Sequence, residues 1–71
     1  MNYKNIGINV RRNRENLGLT QTQLSDRTKL SQSLLSQIES GESVPSLKSL
    51  GKLAEALGVE VTELIEDSKN D

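Results

Sequence analysis

The chain has 71 residues, nine Lys and Arg against ten Asp and Glu for a net charge of −1, and 32% hydrophobic residues. Those figures predict one small soluble domain with an economical core, and the absence of cysteine and histidine removes disulfides, thiolate nucleophiles, Cys/His zinc sites and any histidine general base. The longest apolar run is two residues, as at Leu34-Leu35, so the sequence offers neither a bilayer span nor a secretory signal; a cytoplasmic protein with no metal, cofactor or membrane partner is expected.

Aromatic residues are 1% of the chain, Tyr3 alone, whereas leucine occurs 11 times and Val, Ile and Thr show no strict alternation, a pattern that reads as all-helical. Charge is divided along the chain. Residues 1–38 hold six bases and two acids, net +4, and residues 39–71 hold three bases and eight acids, net −5, which suggests a basic working face with an acidic back.

Ile6, Val10 and Leu17 share a stripe and predict a first amphipathic helix from about residue 5 to 16, ending near Gly18, with Asn13 a polar interruption at the edge of the core. Thr20 is an N-cap candidate, and Gln23 three residues on completes a capping box for a second helix from Gln21 to about Thr28, anchored by Leu24. Ser31 caps a third helix reaching about Glu39, and Gly41 offers the permissive backbone of a stop. Pro45-Ser46 starts a fourth, with Leu47, Leu50, Leu53, Ala54 and Leu57 inward and Gly58 closing it. Gly51 inside that helix hints at close approach by another backbone. A last short helix runs from about Val61 to Glu66, turning Val61, Leu64 and Ile65 inward. The domain is then residues 1–66, followed by a polar, frayed tail at 67–71.

Two short helices joined by about three residues, in a bundle with a basic first half, have the geometry of a helix-turn-helix, whose second member enters the DNA major groove. The sequence adds Leu19-Thr20-Gln21-x-x-Leu24, then Ser31-x-Ser33-x-Leu35-Ser36-x-Ile38-Glu39-x-Gly41, then Pro45-Ser46-Leu47-x-x-Leu50 and Leu53-Ala54-x-x-Leu57-Gly58-Val59. In order and spacing, with Ile6-Gly7 and Arg14, this closely resembles the Cro/CI-type helix-turn-helix regulators, the XRE family, over residues 6–66. The resemblance implies an all-α, compact five-helix bundle of the lambda-repressor-like DNA-binding type with its helix-turn-helix at helices 2 and 3. Where the family favours Ala at position 25, Gly at 29 and an apolar residue at 13, this chain has Ser25, Lys29 and Asn13. A left-handed turn residue other than Gly costs about 1–2 kcal/mol, so Lys29 either bears that strain or changes the turn.

On the third helix Leu35 and Ile38 share one side, while Ser33, Ser36 and Gln37 centre the other with Gln32 at the leading edge. That outward face is uncharged amide and hydroxyl, suited to base edges: Gln pairs with adenine N6/N7, and Ser donates or accepts. Leu34 at the flank is either peripheral packing or a contact for a thymine methyl. Glu39 needs a cation, and the resemblance pairs it with Arg14. Thr20 and Gln21 stand at a helix N-terminus that favours phosphate, and the resemblance implies that Gln21 contacts the backbone; Arg11, Arg12, Arg27 and Lys29 are further candidate phosphate partners. The carboxylates Glu63, Glu66 and Asp67 read as a solvated face rather than an acid/base pair.

The sequence therefore points to sequence-specific binding of double-stranded DNA, not to an enzyme: a repressor acting by operator occupancy as a homodimer, with Val59, Val61, Leu64 and Ile65 at the two-fold interface and an inverted repeat as its site. Two rivals stay open, an antitoxin-type regulator that also binds a partner protein and a protein-interaction module on the same fold.

Overall fold

The computed structural model describes residues 3–66, with side chains from residue 5 onward, and contains α1 (Tyr3–Asn16), α2 (Gln21–Thr28), α3 (Gln32–Ser40), α4 (Leu47–Leu57) and α5 (Val61–Ile65). The polar tail expected at 67–71 lies outside the described residues. The starts of α2 to α5 each follow from a local hydrogen bond. Thr20 Oγ1 accepts the Gln23 N–H at 3.0 Å while Gln23 Oε1 accepts the Thr20 N–H at 2.8 Å, closing the expected capping box. Ser31 Oγ accepts the Leu34 N–H at 3.0 Å and Ser46 Oγ the Ser49 N–H at 3.1 Å, so α3 and α4 also begin on hydroxyl caps. At α5 it is Glu63 that reaches back, its Oε2 accepting the Glu60 N–H at 3.1 Å, which gives this carboxylate a capping role that its surface position concealed.

Lys29 takes the left-handed conformation, φ 65°, so the turn between α2 and α3 keeps its shape and bears the strain. Backbone and side-chain bonds together hold it. The Lys29 N–H donates to Ser25 O at 2.7 Å, the Ser25 hydroxyl donates to Leu30 O, and Thr28 Oγ1 accepts the Leu30 N–H at 3.2 Å while donating to Leu24 O at 2.9 Å. Ser25 is thus more than a small residue in place of Ala.

The core joins Ile6 and Val10 of α1, Leu24 of α2, Leu35 and Ile38 of α3, Leu50, Leu53, Ala54 and Leu57 of α4, and Leu64 of α5, with Leu19 entering from the first loop. Two leucines assigned to apolar stripes lie outside it. Leu17 is 52% exposed because α1 ends at Asn16 and the chain turns away, its place being taken by Leu19; Leu47 is 79% exposed because it stands at the first helical position of α4. Asn9 is the buried polar residue of α1, Nδ2 donating to Leu64 O at 2.9 Å and Glu66 O at 2.8 Å, which binds α5 to α1. Asn13 donates to Asn9 O at 2.8 Å within its own helix.

Close backbone approach occurs at Gly7 rather than Gly51. A Cβ at Gly51 would meet nothing within 4 Å, whereas one at Gly7 would overlap the Ile38 carbonyl oxygen and lie 2.9 Å from Glu39 O. The missing side chain therefore lets α1 lie against the last turn of α3. Two helical turns further along α1, the Arg14 guanidinium closes on Glu39: Nε to Oε2 is 2.8 Å and Nη2 to Oε1 is 2.9 Å, a two-pronged contact, and Nη1 donates to Leu19 O at 2.8 Å. Both side chains are largely removed from water, 11% and 4% exposed. The hydrogen bond to Glu39 raises the Arg14 pKa above its ordinary value, favouring the charged guanidinium beside the carboxylate.

Unfolding measurements test this seam between α1 and α3 and its contrast with Gly51 in α4. Gly7→Ala should destabilise by about 1–3 kcal/mol, the usual effect of forcing atoms into a filled contact, whereas Gly51→Ala should stabilise by about 1 kcal/mol; urea unfolding compares them. Arg14→Met should lower stability by about 3–5 kcal/mol because it leaves a buried carboxylate unpaired, and Arg14→Met with Glu39→Leu should recover much of that loss. A double-mutant cycle on unfolding should give a coupling of about 0.5–3 kcal/mol, and additive single mutants would contradict the pairing.

Candidate nucleic-acid interface

The outward side of α3 is built by subtraction. Burial of Leu35 and Ile38 in the core turns Gln32, Ser33, Ser36 and Gln37 to solvent, and all four are exposed. No charged side chain lies on this helix before Glu39, and Glu39 is drawn inward by Arg14. Exposed helices are ordinarily rich in Lys and Glu, so the surface left here, amides and hydroxyls alone, can donate and accept hydrogen bonds without a charge to desolvate. Leu34 is half-buried and packs against the core, which favours peripheral packing as its role.

Around this helix the structure sorts the candidate phosphate partners into two groups. Arg11 of α1 and Gln21 of α2 share a shallow cleft with Ser36 and Ser40 of α3, and Thr20 stands exposed beside Gln21 at the start of α2. Arg27 and Lys29 instead line a separate cleft with Lys52 and Glu55 of α4, at the far end of α2. Arg11 also pairs with Glu15 at 3.0 Å, an exposed contact one turn along the same helix, and Arg12 reaches Asn9 Oδ1 at 3.4 Å. The exposed Arg11–Glu15 pair holds little energy.

Gln21 has a second engagement that sequence did not suggest. Its Nε2 donates to Glu39 Oε1 at 3.1 Å, so the Glu39 carboxylate receives bonds from α1 and α2 together. Two further hydroxyls, Thr22 and Ser43, meet the α3 glutamines; both were invisible to sequence reading, because a helical wheel shows which face a residue takes but not which side chain of a neighbouring element it meets. At the carboxy-terminal end, Leu64 is wholly buried in the chain's own core and has no surface to offer a second copy, which removes it from the expected two-fold interface. Val59, Val61 and Ile65 are half-buried, packed on the core with part of each side chain outside. Among the described residues no helix is long and apolar enough to cross a membrane, and no group of three or more acidic residues is placed to hold a metal.

Comparison with known proteins agrees with this geometry. A family model described as helix-turn-helix matches residues 10–64. The chain is 42% identical over 62 residues to the uncharacterized HTH-type transcriptional regulator y4dJ of Sinorhizobium fredii, covering 87% of this chain and 80% of that protein. It is 37% identical over 60 residues to the immunity repressor protein of Bacillus phage phi105, covering 84% of this chain but only 42% of the repressor. Among solved structures, the restriction-modification controller protein C.AhdI from Aeromonas hydrophila matches with a TM-score of 0.85 and 33% identity, over 89% of this chain and 96% of that one. Five helices without a strand among the described residues, hydroxyl caps on α2 and α3, and these likenesses together show that the chain belongs to the Cro/CI-type helix-turn-helix family of DNA-binding transcriptional regulators.

Proposed function

We propose that this regulator is a cytoplasmic repressor that binds a specific double-stranded DNA operator as a homodimer and acts by occupancy. The observation that carries the reading is the uncharged outward face of α3, on which Gln32, Ser33, Ser36 and Gln37 stand exposed around a core-facing Leu35 and Ile38. In the major groove these side chains read base edges, while phosphates are held at the start of α2 by Thr20 and Gln21, by Arg11 beside them, and by Arg12, Arg27 and Lys29 further out. The likeness to a phage immunity repressor supports the direction of regulation, and no step of this function requires chemistry.

Dimerisation is part of the proposal for an energetic reason. One module of this size buries on the order of 600–1,000 Å² of protein surface on DNA, usually too little for operator-level selectivity, and a second copy doubles the contacts. Val59, Val61 and Ile65 are the apolar residues left partly outside the core at the carboxy-terminal end, and they form the proposed two-fold contact.

In vitro selection from a random DNA pool tests the whole reading. The selected site should be an inverted repeat with half-sites about 34 Å apart, one helical turn, and sedimentation should show two chains per site; an asymmetric site bound by a single chain would remove the dimer. On that site Gln32→Ala and Gln37→Ala should each relax preference by about 1–3 kcal/mol at particular base pairs. Arg11→Ala should weaken every sequence alike and flatten the salt dependence by about one unit, the share of a single phosphate.

A further inference from the structure

The two glutamines at the ends of the α3 reading face are not free side chains. Thr22 Oγ1, in the first turn of α2, donates to Gln32 Oε1 at 3.2 Å, and Ser43 Oγ, in the segment after α3, donates to Gln37 Oε1 at 3.4 Å. The two hydroxyls come from elements that flank α3 on opposite sides in sequence. Their own positions are set by backbone bonds: Thr22 belongs to a helix whose first turn is closed by the Thr20–Gln23 capping box, and the Ser43 N–H donates to Gln37 O at 3.1 Å.

An unrestrained glutamine has three rotatable bonds and a terminal amide that can present its oxygen or its nitrogen, two opposite patterns to a base. A hydroxyl bonded to Oε1 holds that oxygen toward the protein, and the Nε2 protons of Gln32 and Gln37 are then directed to whatever lies beyond. One lone pair of Oε1 remains, so pairing with adenine N6/N7 is still open to an amide already in position. The same bond removes rotamers that would otherwise have to be frozen when DNA arrives, and fixing a reading group in advance strengthens its discrimination without adding a contact.

Resting on the proposal that Gln32 and Gln37 read bases, we infer that Thr22 and Ser43 are positioning residues for specificity: Thr22 acts through Gln32 and Ser43 through Gln37, neither needing to touch DNA. This places part of the sequence preference outside the recognition helix, in residues that a wheel of α3 omits. It also sets Gln21 and Thr22 apart, since Gln21 turns to the buried carboxylate of Glu39 and Thr22 turns to the reading face.

The experiment measures affinity of the full chain for its selected site and for every single base-pair change in it, together with affinity for random DNA and the thermal midpoint. Thr22→Val keeps the shape of the side chain and removes the hydroxyl. It should lower preference about 3–10-fold at the base pair where Gln32→Ala loses preference, and leave random-DNA affinity and the thermal midpoint unchanged. Thr22→Ser should restore the preference, and Thr22→Val should add nothing in a Gln32→Ala background. Ser43→Ala should behave likewise at the base pair assigned to Gln37. If Gln32→Ala loses preference at a base pair where Thr22→Val keeps it, the positioning role is wrong and base reading stands. Equal weakening on all DNA by Thr22→Val would make Thr22 a phosphate contact and overturn the inference. Wild-type preference at every position in Gln32→Ala would overturn base reading and the inference with it.

Discussion

A single buried carboxylate fixes the geometry on which the rest depends. Glu39 lies in the last turn of α3, where the helix dipole is least hospitable to negative charge and where α3 has no basic residue of its own. The cation comes from another helix. Arg14 of α1 grips both Glu39 oxygens, Gln21 of α2 adds a third bond, and the remaining Arg14 nitrogen holds the Leu19 carbonyl of the intervening loop. Three helices and a loop therefore meet at one charge, with the pair nearly closed to water. Such a pair need not add stability over an apolar substitute; on the proposed reading its value is that it ties α3 to α1 and α2 in one register.

Gly7 is the steric counterpart of that charge. Without a side chain there, the α1 backbone touches the Ile38 and Glu39 carbonyls, and that closeness lets an arginine two turns away reach back to the carboxylate. Asn9 does for α5 what Arg14 does for α3, placing a polar side chain on two carbonyls at the far end of the chain. The first helix is accordingly the spine of the molecule: among Ile6 and Val10 its inward face carries Gly7 and Arg14, both matched to the last turn of α3, and Asn9, matched to α5.

Most of the architecture was legible because its signals are local. Capping by Thr20 with Gln23, the hydroxyl caps Ser31 and Ser46, and the leucine stripe of α4 all lie within a few residues of what they control, so spacing alone located them. What escaped the sequence involved two segments at once. Leu17 and Leu47 sit on apolar stripes, yet whether a stripe residue is covered depends on where the helix ends and what faces it. Gly51 and Gly7 look alike as glycines within helices, and only the neighbouring helix distinguishes them. Leu64 reads as one of several apolar residues on a short helix, and its complete burial comes from α1 and α4 closing over it. The Thr22 and Ser43 bonds to α3 belong to the same class.

The charge distribution completes the physical picture of selectivity. Phosphate attraction acts on every sequence alike and weakens with salt, so a regulator that relied on it would bind widely. Here the four exposed side chains at the centre of the proposed interface are neutral, the one acid of that helix is neutralised from behind, and the bases stand at the margins on α1, α2 and the turn. The acidic second half of the sequence further lowers general attraction to nucleic acid. On the proposed reading a surface so arranged has modest affinity for arbitrary DNA, and its hold on an operator comes mainly from base edges that match oriented amides and hydroxyls. Since selectivity in a genome is the ratio of these two affinities, suppressing the first matters as much as raising the second. Neutral reading groups held in place by their neighbours serve both ends, because they add discrimination without adding charge.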